Sequence, residues 1–440
     1  MKAVLYLLAY VSLLGATVSG ASSVSQFGVT WFFEGDPTVG QFVNGDFWVV
    51  GPVTLKRVTP DTAFLNNATL HGSMLNPVPN TGHGFDSRVR DNLYDSKKNV
   101  ALSLPIVLHP GSSLLSCESH LAPVQGDAPQ LKTIAILTVL ATKPAPGAFR
   151  PPYCGTDKTL KWHLCDLDRS RLGRLPLVPQ TPALIGVEPR FERPWIEIKT
   201  DWTGRYLHPS SNQPAYGREM AHQVAEALLL LQLDVSAEQK QTLLVRILQY
   251  GLDIFGAARL GAEWPDQGGH NQGRKMPMLL AGALFRDADI LEFSNADKHL
   301  IFQEDRQVWY VNENDVGRPL HLTDGRPRDQ YIKADIGVAE WGEQHYINPK
   351  RDGRNWNSYY RDVAGSCTIG HILTARLMGL ETAWGSAPIF DYYDRYWEKE
   401  NTFTHKGPNG IQPFVKEMWK RYRLTKSHHR RSFESSDSRR

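Results

Sequence analysis

Arg218 to Leu233, REMAHQVAEALLLLQL, followed by Ala237 to Ala258, AEQKQTLLVRILQYGLDIFGAA, carries the reading of the fold. Apolar residues recur three and four apart through both runs, the mark of helices that bury one broad face. Ser236 opens the second run with a Ser-x-x-Gln pattern ending at Gln239, a capping box. Two more helices follow the same logic. Lys275 to Phe285 is apolar and entered through the Gly268-Gly269 loop, and Val363 to Met378 is ended by Gly379. Polar or glycine-rich loops separate these helices, and no 34- or 40-residue repeat marks a standard solenoid. The expected fold class is therefore mainly α: an α/α toroid, or barrel, over residues 151–424, whose loops at one end build a cleft. A helical bundle is the structural alternative.

Upstream the pattern changes. Residues 27–150 read as β-rich, so that 21–150 form an N-terminal portion packed on the side of the toroid. Gln41-Phe42-Val43 and Asp46 to Val50 flank Asn44-Gly45, a strong hairpin signal. Short apolar runs follow at 100–108 and 133–142, and the Pro-rich stretch Lys143 to Pro152 marks the change of architecture. Residues 1–20 have the layout of a signal peptide: Lys2, an apolar run over 3–15, and the small residues Val18, Ser19 and Gly20. That predicts export. No later stretch approaches the ~20 apolar residues of a spanning helix. The tail from Lys416 to Arg440 loses apolar pattern beyond 424 and reads as a solvated, disordered basic segment over 425–440.

Composition narrows the function. A formal net charge of +3 over 440 residues gives nucleic-acid binding no support. The chain carries 12 Trp, 16 Tyr and 17 Phe, which serve a core and a sugar cleft equally well. Of the four cysteines, Cys154 and Cys165 are closest in sequence and form the expected disulfide; Cys367 reads as a buried thiol. Asn67-Ala68-Thr69 is a glycosylation sequon.

Three polar segments interrupt the apolar helices. Trp264 to Pro277 holds His270, Asn271 and Arg274 at a helix N-terminus, where backbone N–H groups favour anions. Its plain alternative is a helix cap with an internal hydrogen-bond network. Glu340-Trp-Gly-Glu-Gln-His345 offers Trp341 for stacking and His345 as base or orienting group, or else simply forms a wall. It has no HExxH spacing, so zinc is unsupported. Arg351 to Arg361 places Arg354, Trp356, Tyr359, Tyr360 and Arg361 ahead of a buried helix. Ser366-Cys367 with His371 one turn on reads as a core pair rather than a dyad.

This inventory suits β-elimination on a uronic acid. The carboxylate beside C5 must be neutralised, which Arg, His or Asn can do without a metal. A base then takes the C5 proton and an acid protonates O4; a phenol does both if nearby cations lower its ordinary value near ~10. A hydrolase needs instead two carboxylates roughly 5–10 Å apart, for which Glu263, Asp266, Glu340 and Glu343 are candidates. A non-catalytic glycan-binding protein is the third reading.

Gly45-Asp-Phe-Trp-Val-Val-Gly-Pro52, Leu131-Lys-Thr-Ile-Ala-Ile-Leu-Thr-Val-Leu-Ala, Phe149-Arg-Pro-Pro-Tyr-Cys-Gly155, Tyr216-Gly-Arg-Glu219, Gly268-Gly-His-Asn-Gln-Gly273 running into Arg274-Lys-Met-Pro, Glu340-Trp-Gly and Asn355-Trp-Asn-Ser-Tyr-Tyr-Arg361 resemble polysaccharide lyase family thirty-eight over about 27–400. The resemblance implies an α/α barrel that cleaves glucuronan or alginate. It implies Arg354 as the group neutralising the carboxylate and Tyr360 as base, with the acid role also open to it; Tyr359 adjoins Tyr360, and either can be the cleft phenol. The resulting expectation is a secreted, monomeric lyase of a β-1,4-linked uronan with no cofactor and no metal. Tyr360, Arg354 and His270 are its catalytic residues. Arg274, Asn271, Trp341, Glu340, His345, Trp356, Tyr359 and Arg361 bind substrate, with Trp264 as a further sugar-holding ring.

Overall fold

A computed structural model describes residues 20–91, 93–124, 129–214, 216–317, 320–321, 327–328, 330–342, 365–399 and 410–425. The first part is a two-sheet sandwich. Its strands are β1 (Ser23–Gln26), β2 (Val29–Phe33), β3 (Val39–Gln41), β4 (Phe47–Val50), β5 (Val53–Thr59), β6 (Ala63–Leu65), β7 (Ala68–Leu70), β8 (Ser73–Leu75), β9 (Ile106–Leu108), β10 (Ser112–Ser119) and β11 (Leu131–Leu140). One sheet has the order β1-β2-β5-β9 and the other β3-β4-β11-β10-β8, with β6 and β7 a separate hairpin. Pairing is antiparallel except between β4 and β11, where Phe47 to Val50 run alongside Leu137 to Leu140.

β11 shows why the sheets stack as they do. Strand side chains alternate faces. Ala135, Leu137 and Val139 meet Trp31, Phe33, Leu55 and Val58 of the opposite sheet. Ile134 and Ile136 instead join Leu115 and Met74 in the core shared with the helices. Each such isoleucine contributes about 1.5–3 kcal/mol by leaving water. The middle sheet is therefore covered on both sides: one face closes the core between the two sheets, and the other joins a separate core shared with the helices.

The expected hairpin lies where Asn44-Gly45 put it, with Gln41 opposite Phe47, but its loop spans 42–46. Val43 leaves the ladder because its N–H bonds to Ala148 O at 3.0 Å and its side chain enters the helical core.

The helices are α1 (Leu184–Val187), α2 (Gly217–Leu230), α3 (Ala237–Arg259), α4 (Lys275–Phe285), α5 (Ala288–Ser294), α6 (Gln303–Arg306), α7 (Ile369–Leu377), α8 (Glu381–Trp384), α9 (Ala387–Lys399) and α10 (Pro413–Tyr422). The Ser236–Gln239 capping box is present with both of its hydrogen bonds. α4 begins and ends at the expected residues, and Lys275 to Leu284 are all buried.

The described residues do not form the expected α/α toroid. The described residues form an α+β structure: an N-terminal sandwich followed by helices, with no ring of paired helices. A toroid needs hairpins of matched length around an open centre. Here the lengths run from 23 residues in α3 to 4 in α6 and α8, and α4 is enclosed by its neighbours on every side. Lys275 at its start is fully buried against Asp305 Oδ2 at 2.5 Å and Trp384 O at 2.7 Å.

The expected Cys154–Cys165 disulfide is likewise absent; both are thiols, the first buried and the second exposed. His163 bridges to Ala148, and Leu164 N–H bonds to Gly147 O at 2.9 Å, which holds Cys165 against that segment. Lys158 meanwhile turns inward onto the carbonyls of Pro152 and Gly155, both at 2.7 Å, and folds the chain after Cys154 back on itself.

Candidate functional site

The site forms where α2 begins. Tyr216 is the N-cap of α2, and a Cβ on Gly217 would lie 1.7 Å from His270 O. Only glycine lets the first turn of α2 rest on the backbone of the Gly268–Gly273 loop. Gly269 faces the Tyr216 ring as closely, its Cβ position 2.9 Å from the hydroxyl. These two contacts bring the Tyr216 and His270 rings to 4.3 Å between centroids. Trp202, 45% exposed, lies 6.5 Å from His270. Arg218 stacks 5.0 Å over Tyr216 and Arg205 5.4 Å over Trp202. Tyr216, Arg218, Arg205 and His270 are half-buried, each with a solvent-reaching edge. Arg218 also pairs with Glu219.

A buried network fixes this loop from beneath, and it takes several of the expected substrate contacts. Arg274 is 2% exposed. Its guanidinium bonds to Glu197 Oε1 at 3.2 Å, His270 O at 3.0 Å and Gln272 O at 2.8 Å. It holds the loop in shape instead of meeting a substrate carboxylate. Glu197 also accepts from the Tyr250 hydroxyl at 2.9 Å and Trp264 Nε1 at 3.1 Å. Trp264 lies wholly inside, stacked on Phe302 at 5.3 Å, and so has no face for a sugar. Asn271 is also buried: its side chain donates to Pro265 O at 2.8 Å and its N–H to Gln303 Oε1 at 2.9 Å. Gln303 in turn donates to Gly268 O and to Gln307 Oε1, and Gln307 donates to Gly342 O at 3.2 Å.

Glu340 and Trp341 form a strand, Ala339–Trp341, paired with Val308–Tyr310. Both are 1% exposed. Glu340 accepts from Arg395 at 2.7 Å and from the Tyr331 hydroxyl at 3.1 Å, while Trp341 packs against Tyr392 and Tyr393. Neither reaches a substrate in this arrangement. His345, Arg354, Trp356, Tyr359, Tyr360 and Arg361 lie outside the described residues, as does Glu343. Of the other carboxylates considered for hydrolysis, Glu263 and Asp266 are both paired with Arg306, at 3.0 and 3.3 Å.

Cys367 and His371 are indeed core residues. The Cys367 thiol contacts Gln272 Oε1 at 2.7 Å, and burial pushes it up to about 12. His371 Nε2 donates to Ala221 O at 2.9 Å, and burial lowers the ring to about 4. His222 is lowered to about 3 by burial and then by Arg218. Neither ring is protonated at neutral pH.

Glu304 on α6 is different. It is fully buried and neither carboxyl oxygen has a hydrogen-bond partner. Burial, then the neighbouring Asp305, raises it to about 7 against the pull of Lys275 and Arg274. A carboxyl raised in the folded state binds its proton more tightly there than in the unfolded chain. Its protonated form is fully stabilising below the ordinary 4.5, and that stability is lost as pH climbs to about 7. The isostere Glu304→Gln is therefore expected to match the wild type in urea unfolding near pH 4.5 and to exceed it by about 3 kcal/mol at about pH 8. Equal midpoints at the higher pH would show that Glu304 is not held neutral.

Among the described residues no group of three or more His, Cys, Asp or Glu is placed to hold a metal ion, and no helix is long and apolar enough to cross a membrane. Of the expected catalytic residues, His270 is the one the description reaches, on a cluster whose other members, Tyr216, Trp202, Arg205 and Arg218, carried no role in the sequence reading. Tyr216-Gly-Arg-Glu219 stood out only as a motif, since nothing in the sequence tells that a residue 54 positions from His270 touches it. Comparison with family models, curated proteins and solved structures finds no match for this chain.

Proposed function

We propose that the chain is an exported lyase that cleaves an acidic polysaccharide, a β-1,4-linked uronan such as glucuronan or alginate, by β-elimination. The observation that carries this reading is the ring of His270 held 4.3 Å from that of Tyr216, which itself lies under the Arg218 guanidinium, at a surface edged by Trp202. A sugar ring can pack on Trp202 while its carboxylate meets His270 and Arg218. Neutralising that carboxylate stabilises the charge that develops when the C5 proton leaves. The base takes that proton, the C4–O4 bond breaks, the C4–C5 double bond forms, and O4 takes a proton from the acid. Tyr216, with the Arg218 guanidinium over its ring, is the phenol of this cluster placed for the first transfer. Arg354 and Tyr360 keep the roles that the family resemblance gives them. Two phenols thus compete for the proton, and mutation separates them.

The burial and pairing of Asp266 and Glu340 weigh against the hydrolase alternative. The test is incubation with glucuronan, polymannuronate, polyguluronate, heparosan, hyaluronan and polygalacturonate, followed by ultraviolet absorbance. Elimination conjugates the new double bond to the carboxylate and absorbs; hydrolysis does not. One of the uronans is expected to give rising absorbance. Loss of that rise in Tyr216→Phe but not in Tyr360→Phe identifies the proton carrier, and the reverse pattern identifies Tyr360. New reducing ends without absorbance on every substrate would remove the lyase reading.

A further inference from the structure

Asn67-Ala68-Thr69 plays no part in the site at His270, and it is the single Asn-x-Ser/Thr sequence in the chain. Folding puts it at the tip of the β6–β7 hairpin. Asn66 and Asn67 have φ of 50° and 64°, the left-handed values that both central residues of a two-residue hairpin turn need. Leu65 stands opposite Ala68, and Phe64 opposite Thr69. Strand residues alternate faces, and here the two faces differ. Ala68 and Leu70 are buried, and Leu65, Asn66 and Ala68 line a depression with Arg88 and Leu121. Phe64 and Thr69 take the opposite, outward face, where the Phe64 ring is 75% exposed. The Thr69 backbone turns away from β6: its N–H donates to Ser87 Oγ at 2.9 Å, and its carbonyl accepts from the Ser87 N–H at 3.0 Å. Phe64 and Thr69 are therefore a non-hydrogen-bonded pair, the kind whose side chains approach most closely. Asn67, two residues before Thr69, is exposed beside them.

We propose that Asn67 is the acceptor of an N-linked glycan whose first N-acetylglucosamine packs on the Phe64 ring. In the transfer, the Asn67 side-chain nitrogen attacks the anomeric carbon of a polyprenyl-pyrophosphate-linked oligosaccharide. The N–C1 bond forms and the C1–O bond to pyrophosphate breaks. The pyrophosphate leaves with that electron pair, and the amide proton passes to a base of the transferase. The donor belongs to the secretory route, so the proposal rests on the export reading and is independent of the lyase chemistry. Turn geometry accounts for Asn66-Asn67, since Asn tolerates positive φ, but it asks nothing of position 69. Strand propensity accounts for a Phe and a Thr in paired strands, but not for a ring left in water. A pyranose carries C–H groups on its faces, and laying one over Phe64 takes that apolar surface out of water. The inward residues Ala68 and Leu70 hold the hairpin from below, so its tip can carry a bulky polar group without disturbing the core.

The test is secretion of the full chain from a eukaryotic cell, with mass spectrometry before and after peptide-N-glycosidase. One glycan is expected, and its enzymatic release should convert Asn67 to an aspartate. Asn67→Gly keeps the positive φ of the turn and should be secreted bare. Thr69→Ala keeps both the turn and the acceptor amide and should lose the glycan as well. Packing on Phe64 is read by hydrogen exchange of the β6–β7 amides. Release of the glycan should speed their exchange about fivefold in the wild type and leave it unchanged in Phe64→Ala. Exchange that release does not alter in the wild type overturns the packing. A chain that reaches the medium with Asn67 bare overturns the acceptor site. If the chain stays in the cell, a second form carries the leader of an established exported protein in place of residues 1–20. A glycan on that form upholds the acceptor and places the failure in export, and a bare Asn67 refutes the acceptor.

Discussion

Arg150→Ala is expected to lower the free energy of unfolding by about 3–5 kcal/mol, the loss typical when one partner of a buried ion pair is removed. The side chain is wholly buried between two carboxylates. Its Nε donates to Asp46 Oδ2 at 2.5 Å, and its two terminal nitrogens donate to Asp253 at 2.9 and 2.5 Å. Asp46 belongs to the β3–β4 loop and Asp253 to the middle of α3, so the guanidinium joins sandwich to helices. The Arg150 backbone is held as firmly, with Gln249 bonding to its N–H at 3.1 Å and to its carbonyl at 3.0 Å. Removing the cation strands two carboxylates away from water, and that penalty exceeds the attraction lost. Whole domains are stable by only about 5–15 kcal/mol, so the variant should be marginal. Two further results would identify the cause. Stability of Arg150→Ala should rise as pH falls through the carboxylate range, because protonation relieves the stranded charges. Asp46→Asn, Arg150→Met and Asp253→Asn combined should recover a large part of the loss. A shift in urea midpoint worth less than about 1 kcal/mol for Arg150→Ala would show that the pair contributes nothing net.

That network also shows where sequence reading stops. The helices at 237–259 and 275–285 were legible because their signals are local: a capping box, a period of 3.6, glycines at the boundaries. The parallel pairing of β4 with β11 joins residues some ninety positions apart and leaves no local trace. A clue to the true layering was nevertheless present. Ile134-Ala-Ile-Leu-Thr-Val-Leu140 is apolar without alternation, the pattern of a strand covered on both faces, and it required helices on one side and a second sheet on the other. The toroid followed from helical periodicity together with the family resemblance, and periodicity reports that a helix has a buried face but not what buries it. The same limit governs the site. Arg274, Arg205 and Arg218 are alike as letters. Only packing separates the one that clamps carbonyls in the interior from the two that reach the surface, and the ring of Trp264 differs from that of Trp202 in the same way.

The second large effect is expected at His270, and it is kinetic. His270→Ala should reduce kcat on the responsive uronan by about 10²–10³-fold, the loss found when a group that stabilises developing charge is removed. KM should change far less, because the interaction strengthens as the C5 proton leaves. The ring is half-buried at the surface, while the backbone beneath it is held by Arg274 on its carbonyl and by Gly217 against the same oxygen, so the melting temperature should barely move. His270→Asn retains a hydrogen-bond donor and should recover part of the rate. Arg274→Met provides the contrast: it strips Glu197 of its cation and the loop of its clamp, so rate and stability should fall together. The separation of the two variants matters more than either number. If His270→Ala turns over within threefold of the wild type, the imidazole is not where charge develops, and the chemistry belongs elsewhere in the chain. If it loses rate and stability in the same proportion as Arg274→Met, His270 supports the loop and does not meet the substrate.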